Sequence, residues 1–177
     1  MPLIILHFIL LSCSFDYGSS EDIAGRPDIV MEEIEYVRVR GGDPIVRFRA
    51  EHGERWEDDQ IMEVRDFTFE QFENDGVSID AFGEAGKARI ELGTGDVFLS
   101  GGISIRIESD DITIRTQELE WRDEERTLTG PPRGTVEVER SDGTFFSGRG
   151  FTAHAPSRTW EFSGEVRGTY VDAENNN

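Results

Sequence analysis

The chain is predicted to be all-β, and three observations carry that prediction. Between Asp28 and Val171 apolar and polar residues alternate with period two, and no long stretch keeps a helical period. Turn signals rich in Gly and Asp interrupt the alternation at short intervals. A triplet of one apolar residue, one small hydroxyl and one glycine recurs as Leu99-Ser100-Gly101, Leu128-Thr129-Gly130 and Phe162-Ser163-Gly164. Many short strands joined by tight turns build a sandwich, a roll or a barrel.

The first element is an address. Residues 3–11 read LIILHFILL, an apolar run far shorter than the roughly 20 residues of a membrane-spanning helix. It suits the apolar core of a secretory signal peptide. The run ends in Leu10-Leu11-Ser12-Cys13, which is similar to a bacterial lipobox. A small residue precedes the cut there, and the thiol after it carries the lipid. The expectation is a signal peptide over residues 1–12 and a lipid-modified Cys13. A tether with Gly18, Ser19, Ser20, Gly25 and Pro27 follows over 13–27. The β-domain then spans 28–171, and a polar tail over 172–177 is expected to be disordered.

Within the domain, residues 29–34 read as a lead-in to a first strand at Glu35–Val39. The stretch RGGDP turns the chain toward Ile45. Val46, Phe48 and Ala50 then share one face, with Arg47 and Arg49 on the other. Ile103-Ser104-Ile105-Arg106-Ile107 and Ile112-Thr113-Ile114-Arg115-Thr116 repeat the design around the turn Glu108–Asp111. That turn pairs Ile107 with Ile112 and Ile105 with Ile114 on one face of an antiparallel pair. Further turns precede Val77, Val97, Thr135 and Thr144, and the last strand is expected at Glu165–Val171. Each triplet reads as the close of a strand–turn–strand unit. Its apolar residue points inward and its glycine lets the backbone bend or bulge. Similar hairpins stacked along an axis make a long trough.

Composition narrows the function. Of 177 residues, 37 are Asp or Glu and 18 Lys or Arg, for a net charge of −19, so no basic surface remains for nucleic acid. The same charge disfavours loose binding to anionic lipid. One cysteine allows no internal disulfide, and His7, His52 and His154 are scattered without zinc-ligand spacing. No cofactor motif stands out. Adjacent carboxylates at Glu57-Asp58-Asp59 and Asp110-Asp111 fall in predicted turns, as chance allows in so acidic a chain. No enzyme is expected.

The runs SIDAFGEAGKARIELGTGDVFLSGGISIRI and IRTQELEWRDEERTLTG resemble the OstA-like domains of lipopolysaccharide transport. The ending FFSGRGFTAHAPSRTWEFSGEVRGTY resembles the C-terminal segment of the LptC branch. There a glycine turn, here Gly148-Arg149-Gly150-Phe151, leads to a V-R-x-x-Y strand, here Val166 to Tyr170. The resemblance implies a twisted antiparallel β-jellyroll, taco-like and open along its edges. It implies a periplasmic component that carries lipid A acyl chains from an inner-membrane ABC transporter to the next jellyroll of a bridge. Its partners would be lipopolysaccharide or a related glycolipid, the transporter's jellyroll subunits and an OstA-like bridge protein. Cys13 would replace the usual transmembrane helix and hold the protein at the periplasmic face of the inner membrane, with the outer membrane as the alternative.

Such a role needs an apolar lining and free strand edges rather than a reactive group. Candidates for the lining are Val46, Phe48, Phe69, Ile79, Ile90, Ile105, Ile114, Val138, Phe146 and Phe162. Arg47 and Arg49, or Arg38 and Arg40, are candidates to meet lipid phosphates at the rim, against the alternative of solvated faces paired with Glu and Asp. Candidates for partner docking by strand addition are Tyr36, Val37, Gly150, Val166 and Tyr170. The alternative is a surface or periplasmic β-sandwich lipoprotein with a structural or adhesive role, which requires a closed core and capped edges.

Overall fold

The structure is a computed structural model, and it describes residues 25–172. The expected signal peptide, Cys13, most of the tether and the last residues of the tail lie outside the described residues. The described chain is all-β, with twelve strands in one antiparallel sheet. They are β1 (Ile29–Arg40), β2 (Asp43–Trp56), β3 (Ile61–Phe72), β4 (Ile79–Glu91), β5 (Val97–Ile107), β6 (Ile112–Arg122) and β7 (Thr127–Thr129), then β8 (Thr135–Arg140), β9 (Phe145–Arg149), β10 (Phe151–His154), β11 (Thr159–Phe162) and β12 (Val166–Thr169).

The first six strands follow one another in order, each a hairpin partner of the next. After β6 the sheet divides. Residues 112–115 of β6 pair with β8, which continues to β9 and β12. Residues 120–122 pair with β7, which continues to β10 and β11. Ile107 faces Ile112 and Ile105 faces Ile114, as the short turn requires. The first strand is longer than the sequence suggested. Residues 29–34 already pair with β2, because Ile29 and Val30 lie opposite Arg55 and Glu54.

The division has a counterpart inside each long strand. In β3 to β6 the most buried positions step by two, and in all six long strands the inward positions skip to a wider spacing at one height across the sheet. The skips run from Met31 to Ile34, Ala50 to Gly53, Val64 to Phe67, Ala85 to Ala88 and Thr116 to Leu119. In β5 the step is four, from Leu99 to Ile103. One extra residue in β1 to β4 and β6, and two in β5, interrupt the inward row, so each strand bends there and keeps its apolar side inward. Glu33 and Asp66 take φ of 53° and 52° at this line, and Gly101 and Gly102 take 86° and 84°. Ladder pairing lapses along the same line, between Glu32 and Ile34 in β1, for example, and between Ser100 and Ile103 in β5.

The bends together form a crease. It divides the sheet into a basal leaf, which carries β7, β10 and β11, and a distal leaf, which carries β8, β9 and β12. Leu99-Ser100-Gly101 is therefore no turn between strands, as the triplet pattern suggested. It lies in the middle of β5, where a two-glycine bulge crosses the crease. Gly86 of β4 packs against it so closely that an added Cβ would sit 2.8 Å from the Gly101 carbonyl oxygen. The other two triplets do sit at the ends of β7 and β11.

Candidate functional site

Folding about the crease turns the inward faces of the leaves toward each other. One row of side chains crosses the distal leaf from edge to edge. Tyr36, Phe48, Phe69, Gly83, Ile105, Ile114, Val138, Phe146 and Gly168 are successive ladder partners on β1 to β6, β8, β9 and β12. Eight strand spacings of about 4.8 Å make this row roughly 38 Å long. Six of the proposed lining residues fall on it. The basal leaf supplies a matching row of Met62, Ile90, Val97, Trp121, Leu128, Ala153 and Trp160.

The trough between the leaves is not uniform. From β5 onward it is filled. Ile105, Ile114 and Val138 are at most 4% exposed and belong to one packed cluster with Val136, Leu119 and Phe151. At the far end Phe146 of the distal leaf meets Trp160 of the basal leaf at 5.7 Å between ring centres. Phe151 and Phe162 complete that aromatic plug. At the β1 end the interior opens. Tyr36 is 49% exposed and stacks on Phe48 at 4.9 Å. Phe48 leads to Phe67 and Phe67 to Phe69, at 5.6 and 6.2 Å. The result is an aromatic ladder that is buried at Phe67, half-buried at Phe48 and Phe69 and in solvent at Tyr36.

The remaining lining candidates are dispersed. Val46 is half-buried near the distal tip, opposite Gln71, and Ile90 is half-buried in the basal row. Ile79 is exposed beside the bulge at Gln71/Phe72. It borders a concavity of about 510 Å³ whose wall includes Arg47, Arg49, Thr68, Glu70 and Phe82. That wall is mostly the ion-paired face of the sheet, with Phe69 and Gly83 of the inward row at its edge. Arg47 reaches Glu70 at 3.0 Å and Glu35 at 3.5 Å, and Arg49 reaches Glu35 at 3.1 Å. These two arginines are paired with Glu, on the opposite face of β2 from Phe48. Glu57-Asp58-Asp59 and Asp110-Asp111 lie in turns, and Asp111 is held by Arg106 and Ser141. Ser141 and Arg106 draw its carboxyl below the ordinary carboxylate range.

Three strands end the sheet. β1 is one margin, and β11 and β12 end the two branches. Tyr36, Val37, Val166 and Tyr170 are all exposed there. Gly150 sits where the chain crosses from β9 in one leaf to β10 in the other, at φ 62°. The residue that sequence reasoning missed is His52, at the crease in β2. Glu32 of β1 lies 2.8 Å from its Nδ1, and Glu54 lies 3.1 Å from its Nε2. Hydrogen bonds to Glu32 and Glu54 raise its pKa, against the opposing charge of Arg65. A pKa raised on folding gives stability that is complete below the unfolded value of about 6.5 and fades as pH climbs through the folded value. The denaturation midpoint of the natural chain should therefore exceed that of His52→Gln most at about pH 5.5 and converge with it toward about pH 8.5. A constant gap across that range would show that protonation plays no part.

A family model described as "Lipopolysaccharide-assembly, LptC-related" matches residues 3–171. The fold is similar to the crystal structure of LptH from Pseudomonas aeruginosa, described as the LptA-homologous periplasmic component of the lipopolysaccharide transport device. The TM-score is 0.56 at 10% identity, and the match covers 72% of this chain and 95% of that one. Curated protein sequences give no match. The chain, a jellyroll folded about a crease, belongs to the LptC-related lipopolysaccharide-assembly family.

Proposed function

We propose that the protein carries the acyl chains of lipopolysaccharide, or of a related glycolipid, through the trough between its leaves. Family membership supports a periplasmic component of lipopolysaccharide transport. The observation that carries the finer reading is the aromatic ladder Tyr36–Phe48–Phe67–Phe69, an apolar surface open to solvent at one end of an otherwise filled interior. Removing about a dozen methylenes from water yields roughly 10 kcal/mol at ~0.8 kcal/mol each. Contacts of that kind are non-directional, so a chain can slide along the ladder without breaking specific bonds. The free margins at β1 and β12 suit strand addition by neighbouring jellyrolls, with Tyr36 and Val37 on one side and Val166 and Tyr170 on the other. Lipid attached to Cys13 would hold the domain at the periplasmic face of the inner membrane.

Phe48→Asp places a charge in the ladder at a half-buried position that packs against the edge of the core beside Phe67. Its expected result is a loss of binding to purified lipopolysaccharide of at least tenfold under conditions where the variant, although its denaturation midpoint is lowered, is still folded. Glu84→Gln, on the opposite face, should bind normally. Undiminished binding by Phe48→Asp would remove the ladder from the lipid path.

A further inference from the structure

We propose that the crease is a hinge, and that the two leaves part about it from the β1 end while the aromatic plug holds them together at the other. The lipid-entry part of this rests on the function proposed above; the hinge itself does not.

A filled interior is the starting point. Ile114 is fully buried and Ile105 and Val138 nearly so, directly in line with the open ladder. A chain that enters at Phe48 meets packed side chains at β5, so admission beyond β4 requires the leaves to separate there. The crease is where separation costs least. Ladder pairs drop out there in all five hairpins from β1 to β6, between Arg49 and His52 in β2 and between Glu84 and Lys87 in β4, for instance. Bending along that line leaves the paired stretches of both leaves intact. Gly86, Gly101 and Gly102 bring no side chains to the line, and Ala50, Ala85 and Ala88 beside it bring small ones. Glu33 and Asp66 hold the left-handed conformation, which non-glycine residues adopt at a cost, so local relaxation there is favourable.

The two ends of the crease differ. At the far end the contact of Phe146 with Trp160 joins one leaf to the other. At the β1 end the ring contacts among Tyr36, Phe48, Phe67 and Phe69 all lie within the distal leaf. The motion is thus placed at the β1 end, one of the three free margins of the sheet. β1 itself spans the crease, with Val30 on the basal side and Val39 on the distal side, both exposed.

Spin labels at Val30→Cys and Val39→Cys, in a Cys13→Ser background, report the bend directly. Val39→Cys with Glu84→Cys, both in the distal leaf, is the control pair. The hinge predicts a broader distance distribution across the crease than within the leaf in the protein alone. It also predicts that purified lipopolysaccharide shifts the first distribution and leaves the second unchanged. Equally narrow distributions in the free protein, or a cross-crease distance unmoved when lipopolysaccharide is bound, would overturn the hinge. Binding is read separately, by photo-crosslinking of the lipid at position 48. If no adduct forms, the lipid reading fails, and the widths measured in the free protein still decide the hinge.

Discussion

Phe151→Ala is expected to destabilise the protein by ~3–5 kcal/mol, the usual cost of emptying a large aromatic site in a core. Phe151 is 1% exposed and sits against Gly130 and Val136 where the two branches of the sheet diverge. Its ring meets Phe162 at 5.5 Å and Trp160 at 6.5 Å. Backbone bonds hold the same point, because the Gly130 N–H donates to the Phe151 carbonyl at 2.9 Å. Alanine removes the packing and leaves a cavity that those bonds prevent from collapsing. A typical domain is stable by only about 5–15 kcal/mol, so a substantial share of the total is lost. Chemical denaturation measures it. Phe98→Ala is the control, since Phe98 is only half-buried on the ion-paired face, beneath Arg122. It should cost a fraction as much, and equal losses would refute the role assigned to the plug.

Gly150→Arg is expected to cost roughly 2–5 kcal/mol and to disturb the β12 margin. The residue holds φ at 62°, and a Cβ there would collide with Ser163 Oγ. The Ser163 N–H donates to the Gly150 carbonyl at 3.0 Å, and the Gly164 N–H donates to that of Arg149 at 3.1 Å. Those two bonds fasten the end of β11 to the crossing between leaves. Relieving the clash moves Arg149 and with it β9, the strand on which β12 depends for pairing. Cysteine crosslinking from Val166 to a neighbouring jellyroll should therefore fall well below the yield of the natural chain. A normal yield would separate Gly150 from docking.

Local pairing was legible in the sequence, and the crease was not. The Glu108–Asp111 turn fixed its own register because both flanking runs place isoleucine on alternate residues. The inward row through Phe48, Phe69, Ile105, Ile114, Val138 and Phe146 followed from the same alternation. The spacing of three at the crease was also written in the chain, as Met31 to Ile34 and Val64 to Phe67. In any single strand it looks like an irregularity; its meaning appears only when the skips line up across neighbours. For the same reason Leu99-Ser100-Gly101 reads in the sequence as the close of a strand, although it is a bulge within β5, packed on Gly86 of the next strand. Which part of the trough is filled depends on Trp160 and Phe151, contributed by the opposite leaf. No pattern within β5 or β6 reveals that Ile105 and Ile114 meet them in a packed core. His52 escaped notice because its partner Glu32 lies on a separate strand, where only the paired register brings them together.

The most direct test of lipid carriage is site-specific photo-crosslinking in cells from Phe48, with Ile114 and Phe98 as reference positions. The account predicts glycolipid adducts at Phe48 and none at Phe98, which lies on the opposite face of the sheet. At Ile114 it predicts weaker adducts, formed only while the leaves are parted. Adducts to protein alone at Phe48, or equal lipid labelling at Phe48 and Phe98, would contradict it.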